Sequence, residues 1–106
     1  MSANPSAPIH ALAAKAGQAA ELLKSMAHPV RLLLLCLLAD REYSVSELNA
    51  EVGISQSALS QHLARLRREK LVTTRRDAQS IHYRLANPSV TRIIATLQQE
   101  FCPERP

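Results

Sequence analysis

Residues 55–72, SQSALSQHLARLRREKLV, decide how this chain folds. At about 100° per residue, Leu59, Leu63 and Leu66 fall on one side of a helix. Ser57, Gln61, Ala64 and Arg68 fall on the other, flanked by Ser60 and Arg65. The outward face carries no acidic residue before Glu69. A helix that is only solvated more often bears Glu and Lys there. Short polar side chains let a helix come close to base edges, and Gln and Arg can bond to bases or phosphates. Ser55 is placed to cap this helix, which is expected to run to about Lys70.

The flanks give the helix a context. Upstream, Ser44-Val45-Ser46-Glu47 has the S-x-x-E form of a capping box and opens a short helix with Leu48 and Val52 as its apolar positions. Gly53 breaks it. Two short helices about a tight glycine turn form a helix-turn-helix. Downstream, residues 72–75 are β-branched and polar. Residues 80–85 alternate, with Ile81, Tyr83 and Leu85 inward and His82 and Arg84 outward. Arg76-Asp77-Ala78-Gln79 then links the two strands as a hairpin with a basic tip. A basic hairpin behind a helix-turn-helix makes a wing, suited to lie on the phosphate backbone or enter the minor groove.

Two helices precede this unit and one follows. Ile9, Leu12, Ala16, Ala19, Leu23 and Met26 form an apolar stripe at helical spacing. Pro29 opens a second helix, VRLLLLCLLAD, which is apolar nearly all round and is therefore expected at the centre, with Cys36 in its middle. Asn87 and Pro88 start the last helix, whose stripe is Val90, Ile93, Ile94, Leu97 and Phe101, and Pro103 stops it. The expected fold is mainly α with a small β-hairpin, a winged helix-turn-helix with four helices, two strands and a closing helix. It occupies residues 9–102, between a disordered tail at 1–8 and a short tail at 103–106. The last helix is expected to find few partners in its own chain, so the first and last helices are read as a homodimer interface.

Composition narrows the function classes. A length of 106 residues holds one domain. Its 46% hydrophobic content supports a core, although only Tyr43, Tyr83 and Phe101 are aromatic. The net charge is +4, and residues 55–86 alone carry seven basic against two acidic side chains. Such a concentration suits a phosphate-binding surface. No basic-then-apolar leader is present, and the apolar run at 32–39 is too short to span a bilayer. The expected location is cytoplasmic, with no membrane partner, and Cys36 and Cys102 are expected as thiols. Enzyme chemistry is not expected. The only glycines are Gly17 and Gly53, and the chain has neither a C-x-x-C nor a βαβ pattern. No cofactor is expected. Among His10, His28, His62 and His82 no pair has the i, i+4 spacing of a helical metal pair.

On these residues the chain resembles the ArsR/SmtB family of bacterial repressors over roughly 9–102. HPVRLLLLCLLAD resembles that family's second helix, while SQSALSQHLARLRREKLV and RDAQSIHYRLA resemble its recognition helix and wing. The resemblance implies a homodimer that binds palindromic operator DNA and releases it to an inducer. Many members sense metals through Cys-x-Cys at the start of the third helix, where this chain has Ser44 and Ser46, poor ligands for soft metals. Others use Asp and His on the last helix, which here has neither. Cys36 and Cys102, in the contexts LLCLLA and EFCP, resemble instead the SqrR/BigR-type subgroup that senses reactive sulfur species. That resemblance implies regulatory thiols which persulfides or polysulfides join through a disulfide or longer sulfur bridge, weakening DNA binding. General oxidant sensing, a metal-responsive site, or activation by displacing another DNA-binding protein are the alternatives. For DNA, Ser57, Ser60, Gln61 and Arg65 are expected in the major groove. Ser55, Gln56, Arg67, Arg68, Arg75, Arg76 and Gln79 are expected to make phosphate, cap or wing contacts.

Overall fold

A computed structural model describes residues 6–102. Helices α1 (Ser6–Met26) and α2 (Pro29–Asp40) lead into a two-residue strand, β1 (Tyr43–Ser44). Then follow α3 (Val45–Val52), α4 (Gln56–Arg68), the hairpin β2 (Val72–Asp77) and β3 (Ser80–Leu85), and α5 (Pro88–Phe101). This is the expected winged helix-turn-helix order, with β1 added. α1 starts at Ser6, three residues earlier than expected, and the expected tails at 1–5 and 103–106 lie outside the described residues. Among the described residues no single helix is long and apolar enough to cross a membrane.

α2 is central, as its all-round apolar sequence demands, and touches α1, α3, α4, α5 and β3. Leu34, Leu35, Leu48, Leu59 and Leu66 are fully buried around it, each contributing roughly 1.5–3 kcal/mol through loss of apolar surface to water. One expectation fails here. The last helix does have partners in its own chain, because Val90 and Ile94 are buried and α5 packs on α2 and β3. On α1, Leu22 and Met26 meet the core, while Ile9, Leu12 and Leu23 stay exposed, as do Leu33 and Phe101.

The wing also differs in detail. β3 pairs with β2 on one side and β1 on the other, both antiparallel, with Tyr83 opposite Thr74 and Tyr43. β1 carries no strand signal of its own; its two residues are recruited by the edge of β3. Asp77 pairs with Ser80, so the expected four-residue linker shrinks to a two-residue turn, Ala78-Gln79, with Ala78 at φ +58°.

α4 ends in a Schellman motif. The Lys70 amide donates to the Arg67 carbonyl at 3.0 Å and the Leu71 amide to the Leu66 carbonyl at 2.9 Å, with Lys70 at φ +66°. Glycine normally holds that left-handed position because a Cβ crowds the backbone there. Lys70→Gly is therefore expected to stabilise the fold by about 0.5–1 kcal/mol, read as a higher midpoint in urea at unchanged slope. A lower midpoint would show that the Lys70 side chain contributes more than its backbone strain costs.

Candidate nucleic-acid interface and thiol cleft

Helix α4 is fixed at both ends and along one face. Ser55 Oγ accepts from the Ala58 amide at 3.1 Å, so this hydroxyl has a capping duty. Leu59, Leu63 and Leu66 are buried, which turns Ser57, Ser60, Gln61, Ala64, Arg67 and Arg68 to solvent, with Gln56 exposed in the first turn. Arg65 is different. It is half-buried on the flank beside Arg31, whose charge it disfavours, rather than on the open face. On the opposite flank, Ser60, Arg67 and Arg68 line an open groove of about 470 Å³ with Val45 and Tyr83, between the helix and the base of the wing.

The two wing arginines separate by strand alternation. Arg75 lies on the outer sheet face, where its guanidinium clamps Glu42 at 2.7–3.0 Å and reaches Asp77 at 3.7 Å. The bond from Arg75 holds the Glu42 carboxyl below its ordinary range, helped by His82 and Arg84 nearby. Arg76 is exposed, and alternation puts it on the face that carries Thr74 and the buried Tyr83, whose ring helps line the groove beside α4. Gln79 is exposed in the turn.

A polar joint beneath α4 escaped the sequence reading. Arg31 is 8% exposed and donates through Nε to the Ser25 carbonyl at 2.6 Å and through Nη2 to the Lys24 carbonyl at 3.4 Å. It thereby closes the end of α1 from α2. Its Nη1 lies 3.4 Å from His62 Nδ1. His28 caps α2, its Nδ1 accepting from the Val30 amide, and its ring lies 4.5 Å from that of His62. A lone basic residue in the first turn of an otherwise apolar helix was the available signal.

Burial, then His28 and Arg31, push the His62 imidazole below its ordinary pKa. The folded protein thus binds this proton less tightly than the unfolded chain does. The stabilising difference is present above the ordinary imidazole range, about 6.5, and is lost as pH falls through the lowered value. Thermal midpoints of the wild type are expected to fall between pH 7.5 and 5. His62→Asn, which keeps an acceptor for Arg31, is expected to flatten that fall. Parallel curves for the two proteins would remove His62 as the cause.

One thiol sits at the α2–α5 junction and the other at the end of α5. Cys36 is half-buried and Cys102 exposed. Cys36 lines a cleft of about 340 Å³ with Leu33, Leu37, Asp40, Tyr43 and, from α5, Gln98. Cys102 ends α5 one turn beyond Gln98, its amide donating to the Gln98 carbonyl at 2.7 Å. Gln98 therefore lies on the cleft, and Cys102 is exposed at the C-cap of the helix that carries it. Among the described residues no group of three or more His, Cys, Asp or Glu could hold a metal ion.

Comparison with known proteins agrees with this architecture. A family described as "Bacterial regulatory protein, arsR family" matches residues 28–74. The HTH-type transcriptional regulator YgaV of Escherichia coli is 53% identical over 93 residues, covering 87% of this chain and 94% of that one. The structure of reduced HlyU from Vibrio cholerae superposes with a TM-score of 0.82 at 46% identity, covering 86% of this chain and 96% of that one; HlyU is named a transcriptional activator. The transcriptional repressor BigR from Xylella fastidiosa superposes with a TM-score of 0.82 at 41% identity, covering 88% and 95%.

Proposed function

The chain belongs to the arsR family of bacterial regulatory proteins, and from that premise we propose that it is a homodimeric, DNA-binding repressor switched by reactive sulfur at Cys36 and Cys102. The observation that supports the switch is the cleft between α2 and α5, with Cys36 on one wall and Gln98 on the other, Cys102 following Gln98 by four residues at the end of α5. A persulfide donor R–S–SH supplies the chemistry. The Cys36 thiolate attacks its outer sulfur, the donor S–S bond breaks, and R–S⁻ leaves with Cys36 persulfidated. The Cys102 thiolate then attacks the sulfur bonded to Cys36 and expels hydrosulfide, closing a disulfide. If a second donor has first persulfidated Cys102 in the same way, its terminal sulfur makes that attack and expels hydrosulfide, closing a trisulfide. Either bridge ties the end of α5 to the middle of α2.

The dimer reading rests on the exposed apolar residues. Ile9, Leu12, Leu23 and Phe101 are 54–79% exposed along α1 and at the end of α5, where an aqueous monomer gains nothing from them. A bridge at the α5 end would alter that interface and with it the spacing of two recognition helices, which must match two half-sites about one helical turn apart. Activation by displacement is the second reading, favoured by the name of HlyU.

The test starts from a duplex selected from random DNA by the reduced protein. The protein is treated in turn with an organic persulfide, hydrogen peroxide and zinc, then followed by intact mass and by affinity for that duplex. The expected result is an intramolecular sulfur bridge only with persulfide, and a loss of affinity on the order of tenfold. A response to zinc, or one that survives Cys36→Ser and Cys102→Ser, would overturn the switch.

A further inference from the structure

The cleft at Cys36 has a charge of its own. Cys36 and Asp40 are four residues apart on α2 and line the same cleft. Residues four apart lie on the same helix face, and helical side chains lean back toward the N-terminus, so Asp40 leans toward the turn that carries Cys36. Asp40 is also the last residue of α2, where the helix already presents unsatisfied carbonyls and partial negative charge. Neither α2 nor α5 has a basic residue in its last turn to offset that charge. The cation next in sequence is engaged elsewhere: Arg41 lies over the Tyr43 ring at 3.7 Å, bonds the Glu42 carbonyl at 2.8 Å and pairs with Glu47 at 3.5 Å. The remaining lining, Leu33, Leu37, Ala39, Tyr43 and Gln98, is uncharged.

We propose that Asp40 is a specificity-determining residue, making the Cys36 cleft select sulfur donors whose organic part is cationic or neutral over donors bearing carboxylates. Two unit charges about 7 Å apart in a water-like surround change a rate about threefold. A cationic and an anionic reagent of the same shape therefore differ by on the order of tenfold at this sulfur. The inference rests on the proposed sulfur switch for its biological meaning, but its electrostatic content stands separately.

The test uses a pair of methanethiosulfonates, one bearing trimethylammonium and one sulfonate, on the Cys102→Ser protein. Each transfers its R–S group to Cys36, forming a mixed disulfide and releasing methanesulfinate. The rate ratio cancels any effect of a substitution on the nucleophilicity of Cys36. Relative to a neutral small thiol, the cation-to-anion ratio at Cys36 is expected to be about tenfold higher. It should collapse in Asp40→Asn, survive in Asp40→Glu, and shrink in 1 M salt. An unchanged ratio in Asp40→Asn, or a Cys36 that neither reagent reaches, overturns the inference. The wild-type protein is then given cysteamine persulfide and glutathione persulfide, and the first is expected to bridge the thiols faster. If the reagent ratio behaves as expected but neither persulfide changes DNA affinity, the charge selection stands and the proposed switch fails.

Discussion

Arg31→Ala is expected to cost about 3 kcal/mol of folding stability, from two lost charge-assisted hydrogen bonds and the packing of the buried stem. The guanidinium is nearly buried and, among the described residues, has no carboxylate partner. Burial and the neighbouring Arg65 both disfavour its charge, so its position is sustained by carbonyls. Ser25, whose carbonyl takes the shortest of these bonds, is itself fully buried at the end of α1. Without Arg31 that carbonyl loses its donor, and an unpaired buried acceptor is costly. Arg31→Lys keeps the charge but not the fork that spans Ser25, Lys24 and His62, and is expected to recover less than half the loss. Hydrogen exchange should quicken first at residues 22–26. A loss under about 1 kcal/mol in Arg31→Ala would mean that water or a shifted helix end satisfies the carbonyls instead.

Arg76→Ala and Arg75→Ala are expected to part company in DNA binding, although they are adjacent in sequence. If Arg76 contacts one phosphate per protomer, its removal from a dimer lowers the slope of log K against log salt by about 1.8. Near 0.15 M salt that corresponds to roughly 2 kcal/mol, or about thirtyfold, on any duplex. Arg75 is committed to Glu42 across the outer sheet face, so Arg75→Ala should change the slope by less than half as much. Its effect should appear instead as a loosened wing. Fluorescence anisotropy at four or five salt concentrations separates the cases. Equal slopes for the two variants would sink the distinction. A loss for Arg76→Ala confined to one operator sequence would move it from phosphate to base contact.

The local signals were read well because they are local. Ser44 with Glu47, Ser55, and Asn87 with Pro88 each satisfy the backbone of the helix they begin. The spacing of Leu59, Leu63 and Leu66 leaves one burial solution for α4. Charge counting was less informative. It treated Arg65, Arg67, Arg68, Arg75 and Arg76 alike, whereas Arg65 borders Arg31 and Arg75 holds Glu42. Those partners are 34 and 33 positions away in sequence, beyond the reach of any periodicity. β1 was missed for the same reason, since its two residues are a strand only because β3 offers an edge.

Residues 55–72 thus settled by themselves that α4 presents a Ser, Gln and Arg face, and residues 72–85 that a basic hairpin follows. Helical period, capping and alternation act over a few residues and are written in order. Which arginines keep their charge for a partner was decided by packing, through carbonyls and carboxylates brought in from α1 and from the segment before β1. The placement of Cys36 against Gln98 and Asp40 was likewise decided by the docking of α5 on α2 together with one helical turn of α2. Burial of Val90 and Ile94 sets that docking, and burial is a property of the assembled fold.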